Sequence, residues 1–122
     1  MGELRSYRDL DAWRTAMELS ENIYKLTAVL PDTERYGLIS QLRRSSVSVP
    51  SNIAEGQARF SANEFHYFLG RARGSLVEVE TQLMIAQNLA YFSQEQGKQL
   101  FDKANELGKI LNGLGGAVKQ AA

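Results

Sequence analysis

The chain has 122 residues, 43% hydrophobic and 23% charged, and its fourteen basic and fourteen acidic side chains cancel. One domain of this size buries roughly two-thirds of the surface its unfolded chain exposes, and the cancelled charge excludes a strong overall field toward nucleic acid or membrane. The absence of cysteine excludes a disulfide framework, a thiolate nucleophile and a zinc–thiolate site.

The N-terminal residues hold no apolar core of a signal peptide, and no apolar run approaches the ~18 residues of a membrane span. A cytoplasmic protein without membrane contact is expected. Period-two alternation is confined to the short stretch from Ser46 to Val49, so the class is all-α.

Residues 2–8 read as an N-terminal arm. A first helix is expected over about 10–30, with Asp9 as N-cap and Asp11 near the positive end of the dipole. Leu10, Trp13, Met17, Ile23, Leu26 and Leu30 form its apolar stripe, widened by Ala16 and Leu19. Pro31 ends it, because the residue before a proline is pushed out of the α region.

A second helix is expected over about 33–57, and Pro50 lies inside it. An interior proline removes a hydrogen bond, crowds the carbonyl four residues back and costs ~3 kcal/mol. A break into two helices would shift the apolar phase, yet Leu42, Val49 and Gly56 keep a seven-residue spacing through the proline. One helix, kinked at Pro50, is the reading adopted, with serine hydroxyls turning onto the carbonyls that the kink frees.

Ser61-Ala-Asn-Glu64 matches a capping box and opens a third helix over about 62–90. Phe65, Phe68, Leu69, Ala72, Leu76, Val79, Leu83, Ala86 and Leu89 share its inner phase. Gly70 and Gly74, one turn apart, each cost ~1 kcal/mol against alanine, and close backbone approach is the expected compensation. Ser93-Gln-Glu-Gln96 opens a fourth helix over 94–112 or beyond, with Leu100, Ala104, Leu107, Leu111, Leu114 and Val118 inward. Gly113, Gly115 and Gly116 are expected to fray its end. Four amphipathic helices with three short connections predict a single domain over 1–122, an antiparallel up-down-up-down four-helix bundle.

Chemistry is sparse. A di-iron bundle site needs Glu-x-x-His pairs, but the one histidine, His66, has Asn63 three residues before it. The Gly-Lys pairs at 97–98 and 108–109 lack a following Ser or Thr, so no nucleotide loop is present. No cofactor and no catalytic group are expected; the chain is not read as an enzyme.

Two sets of polar residues stand out. Arg43, Arg44, Arg59, Arg71 and Arg73 are five arginines in a segment with two glutamates, a basic bias that could contact phosphates of RNA or DNA. The bland alternative pairs Arg43 and Arg44 with Glu78 and Glu80 across to the third helix. On the second helix, Ser45, Ser46, Ser48, Asn52 and Glu55 lie toward the core and must find partners. They either fix helix register through a polar network or line a small cavity, and register is favoured.

The run Gln-Leu-Arg-Arg-Ser-Ser-Val-Ser-Val-Pro-Ser-Asn-Ile-Ala-Glu-Gly over 41–56, preceded by Tyr36-Gly-Leu, resembles one bacterial family. Glu64-Phe65, Phe68-Leu69, Ala72-x-Gly-Ser-Leu-x-Glu78 and Leu10-Asp-Ala-Trp13 extend the resemblance over nearly the whole chain. It is the four-helix-bundle family of proteins encoded by intervening sequences in 23S rRNA genes. A related branch is the accessory variability determinant of diversity-generating retroelements. The resemblance implies a bundle that assembles as a ring of five. It also implies, through that branch, contact with nucleic acid, although the neutral charge here departs from the more basic members. For most members it implies no known activity.

The leading expectation is a non-enzymatic oligomeric adaptor touching RNA or DNA; the alternative, from another class, is a structural or protein-interaction scaffold with no nucleic acid contact. Self-association is expected from apolar residues off the main phases or at helix ends: Tyr7, Tyr24, Leu38, Phe60, Tyr67, Ile85, Tyr91 and Phe92. Its expected contacts are the first helix and N-terminal arm against the next copy's region between helices two and three.

Overall fold

A computed structural model describes residues 6–122, so most of the expected N-terminal arm lies outside the described residues. Four α-helices, α1 (Asp11–Thr27), α2 (Leu38–Gln57), α3 (Ala62–Asn88) and α4 (Gln94–Ala121), account for most of the chain, with no strand among the described residues. Interhelical bonds fix their directions. Ser20 meets Ser46 and Arg43 reaches Thr27, so α1 and α2 are antiparallel. Ser45 bonds Gln82, Ser48 bonds Ser75, and Gly56 faces Phe68, so α2 and α3 are too. Lys103 of α4 pairs with Glu18 of α1 and closes the up-down-up-down square.

The core lies on the square's axis. Leu19 and Ile23, Leu42, Val49 and Ile53, Val79 and Leu83, and Ala104 and Leu107 are at most 1% exposed. The inner phases of α2, α3 and α4 are those read from the sequence, except that Leu89, just past the end of α3, is exposed. On α1 the buried line is Ala12, Ala16, Leu19, Ile23 and Leu26, which leaves Trp13 and Met17 half-buried on the rim.

Helix ends differ from expectation for local reasons. Asp9 does not cap α1. It closes a 3-10 turn over Tyr7–Asp9 with Ser6 in a capping box, and α1 starts after Leu10 without a side-chain cap. α1 stops at Thr27, short of Pro31. The Thr27 hydroxyl donates to the Ile23 and Tyr24 carbonyls and accepts from Arg43, so the last turn is closed by side chains.

α2 starts at Leu38, five residues later than read. Asp32–Glu34 forms its own 3-10 turn, and the Glu34 carboxylate then accepts the Leu38 amide at 3.1 Å. Gly37 makes this approach possible, because a Cβ there would sit 2.6 Å from Glu34 Oε1. α2 then runs unbroken through Pro50. The hydroxyls of Ser45 and Ser46 turn back to the Leu42 and Arg43 carbonyls, not to the Ser46 carbonyl that the proline leaves without its donor.

The capping boxes of α3 and α4 come out unequally. The Ser61 hydroxyl accepts the Glu64 amide, and Ser93 and Gln96 form both halves of theirs. α4 does not fray at its glycines but stays helical to Ala121, with Leu114 and Val118 packed against the core. Gly70 and Gly74 are not sites of close approach either, since a Cβ at each would meet nothing within 4 Å. The close approach is at Gly56, where a Cβ would lie 2.7 Å from Phe68 Cβ, and at Gly97 against Phe92 and Gln87.

Candidate functional site

The polar residues of α2 face both neighbouring helices. Ser45 Oγ donates to Gln82 Oε1 at 2.7 Å and is buried. Asn52 Nδ2 donates to the Ser48 carbonyl at 2.8 Å and to Ser48 Oγ at 3.0 Å. Ser48 Oγ, accepting there, also shares a hydrogen bond with Ser75 Oγ at 2.9 Å. Ser46 looks the other way, toward Ser20 of α1 at 3.4 Å. These are short interhelical ties, and no buried side-chain polar atom among the described residues lacks a partner. Glu55 stands apart from them: it is exposed and pairs with Arg59 at 2.7 Å one turn on.

A polar cleft of about 380 Å³ opens beside the Ser45 and Ser48 ties, with Arg44 on its α2 wall and Glu78 on its α3 wall. The two groups share the cleft without forming an ion pair. Arg43 does not turn to α3 at all. Its Nε donates to Thr27 Oγ1 at 2.8 Å, and its guanidinium lies 4.7 Å from the centre of the Tyr24 ring. Its partners are thus on α1 and carry no charge.

The remaining arginines lie elsewhere. Arg59 and Arg71 flank one ring, Phe68, at 4.6 and 5.8 Å from its centre. Arg73 lines a cleft between α3 and α4 together with His66. The five arginines therefore spread over the α1–α2 side, the α2–α3 side and the α3–α4 side. Only Arg59 and Arg71 are brought together.

An apolar groove, about 320 Å³, runs between α1 and α2 and was not legible from the stripes alone. Trp13 and Met17 line one wall; Val47, Pro50 and Ala54 line the other, and Tyr7 closes an end. Tyr7 packs edge-on against Trp13 with ring centres 5.3 Å apart. Of the apolar residues expected at the surface, Leu38 and Phe92 are buried, and Tyr91 is half-buried with its hydroxyl donating to Glu34. Tyr24, Tyr67 and Ile85 are exposed, and Phe60, at the turn between α2 and α3, is 105% exposed.

No three His, Cys, Asp or Glu side chains among the described residues are placed to hold a metal. No described helix is long and apolar enough to cross a membrane. The fold is thus an antiparallel four-helix bundle with an apolar groove between α1 and α2 and polar clefts between α2 and α3 and between α3 and α4. The chain belongs to the 23S rRNA-intervening sequence protein family, whose model matches residues 8–113. It is similar in fold to a protein of unknown function from the S23 ribosomal protein family of Bacteroides thetaiotaomicron VPI-5482. That likeness has a TM-score of 0.79 and 23% identity, and covers 84% of this chain and 96% of that one. No curated protein matches the chain. The family is one of unknown function, and neither match names an enzymatic activity.

Proposed function

We propose that this protein is a non-enzymatic, cytoplasmic, self-associating scaffold that works by presenting contact surfaces. One observation carries the reading: the same chain holds a fully exposed aromatic knob, Phe60, and an apolar groove walled by Trp13, Met17 and Pro50. Knob and groove lie on different faces. A contact that joins one face to another on the next copy closes into a ring when its rotation allows. Aromatic residues are favoured at such contacts. The assembly is proposed as a homopentamer, five being the number the family resemblance implies. Light scattering coupled to size exclusion tests it: a mass of five chains is expected, and a single-chain mass at micromolar concentration would overturn the reading.

A second reading, contact with RNA or DNA, has its own support. Arg44, Arg71 and Arg73 are exposed, and the ion pairs among the described residues do not include them. Their separation onto different sides of one bundle argues against a single patch, so the scaffold reading ranks first. Titration with RNA and duplex DNA at two salt concentrations decides. Binding through several phosphates weakens steeply with salt, and no binding at low salt rejects this reading.

A further inference from the structure

We propose that the cleft between the first half of α3 and the second half of α4 binds a phosphoryl group, held by Arg73, His66 and Asn112. The inference is independent of self-association and concerns a small ligand. The cleft measures about 190 Å³, below the ~300–1,000 Å³ of pockets for drug-sized molecules. Its occupant is correspondingly small.

The geometry comes from helical spacing. His66, Gly70 and Arg73 stand at steps of four and three on α3, so they share one strip of its surface. Gly70 is the midpoint, about 6 Å along the axis from His66 and about 4.5 Å from Arg73. A Cβ at Gly70 would meet nothing within 4 Å, so the space between the two long side chains is free. Across the cleft, α4 contributes the Asn112 amide and then Gly115 and Gly116, which leave that wall low. Leu69 and Leu111, both buried, form the apolar part of the lining.

The chemistry selects an oxyanion. Arg73 supplies a charged fork of donors, His66 a ring N–H and Asn112 an amide N–H. No carboxylate lines the cleft, and the ion pairs among the described residues leave Arg73 out. Lys119 follows four residues after Gly115 on the same side of α4, so positive charge continues along the strip. A guanidinium beside an apolar surface forms stronger charge-assisted bonds than one in open water. This local site exists although the chain as a whole is neutral.

The test follows backbone amide resonances of the full chain during titration with inorganic phosphate at constant ionic strength. A parallel titration uses glycerol 3-phosphate, so that tighter binding of one or the other identifies free phosphate or a phosphomonoester as the source. Saturable shifts confined to residues near 66–73 and 111–116 are expected. Arg73→Ala should weaken binding about tenfold or more, as expected for loss of a hydrogen bond from a charged group, and His66→Ala should weaken it as well. Gly70→Leu fills the midpoint, favours the helix and should abolish binding with the fold retained. Lys98→Gln, at the other end of α4, should change nothing. Shifts spread over all cationic side chains, an unaffected Arg73→Ala variant, or no shift at millimolar phosphate would each overturn the proposal.

Discussion

Ala90 has φ of 62°, the left-handed region, and is the only non-glycine residue there among those described. It closes α3 as a Schellman motif: its amide donates to the Gln87 carbonyl at 2.9 Å, and the Tyr91 amide donates to the Ala86 carbonyl at 3.1 Å. Glycine takes this place without the steric cost of a Cβ. Ala90→Gly is expected to raise the unfolding free energy by about 1 kcal/mol, read as a higher urea midpoint at unchanged slope. The next residue joins the two loops at this end. The Tyr91 hydroxyl donates to Glu34 Oε2 at 2.8 Å, while Oε1 accepts the first amide of α2. The bond to Glu34, then burial, then the Glu34 charge raise the Tyr91 phenol above its ordinary 10.0. The folded state therefore holds that proton more tightly than the unfolded one. Its stabilisation is complete below the unfolded value and is lost as pH rises through the folded value. Bonds to Asp102 and Glu18 raise Lys98 and Lys103 in the same direction. Thermal melts across the alkaline range should show falling stability, and Tyr91→Phe should be less stable at neutral pH with a shallower alkaline decline. An equally steep decline in that variant would remove Tyr91 from the explanation.

Among the elements, α2 and α3 share a tight seam at Gly56, and substitutions of glycines inside and outside that seam should have opposite signs. Gly56→Ala would push a Cβ to 2.7 Å from Phe68 Cβ and 3.3 Å from the Phe65 carbonyl, and overpacking of that kind costs about 1–3 kcal/mol. Gly70→Ala and Gly74→Ala meet open space and should each stabilise by up to ~1 kcal/mol. Chemical denaturation of the three variants checks both signs. Ser48→Ala belongs to the same seam: it takes the partner of the buried Ser75 hydroxyl, while Asn52 keeps its bond to the residue 48 carbonyl, at an expected cost of about 1–3 kcal/mol. Much of this was legible in the sequence. The heptad spacing of Leu42, Val49 and Gly56 carried α2 through its proline, and Ser93 to Gln96 gave the start of α4. What escaped depends on three-dimensional neighbours. A glycine's reason for being glycine lies on the facing helix, which the sequence does not display, so the sequence points to Gly70 and Gly74 where the structure has its close approach at Gly56. Trp13 and Met17 read as part of the α1 stripe because both are large and apolar. Ala12 and Ala16, each 1% exposed, take the inner position instead. The site was less legible than the fold. Arg43 could be paired with Glu78 and Glu80 by axial level, but its partners, Thr27 and Tyr24, lie around the other side of α2.

At the scale of the whole molecule, the proposed assembly should depend on residues that the isolated bundle does not need. Pro50 is one: it forms part of the groove wall and denies the Ser46 carbonyl an amide donor. Pro50→Ala restores that bond and should stabilise the single chain by about 1–2 kcal/mol, less than the full helix penalty because the buried ring is lost, while weakening association. Phe60 separates the two effects more cleanly. Its ring is fully exposed, so Phe60→Ala should leave the stability of the dissociated chain unchanged, as is usual for surface substitutions. Burying a phenylalanine side chain contributes about 1.5–3 kcal/mol, so each contact in the ring should weaken roughly ten- to a hundredfold. Trp13→Ala on the opposing surface should weaken association comparably, and the double variant should lose little beyond either single one, because the two side chains would belong to one contact. The melting temperature of the wild type should rise with protein concentration, as linkage to assembly requires, and that of Phe60→Ala should not. If the wild type assembles and Phe60→Ala assembles equally well, the knob is elsewhere; the exposed strip of α3 bearing Tyr67, Val77 and Met84 is then the surface to alter next.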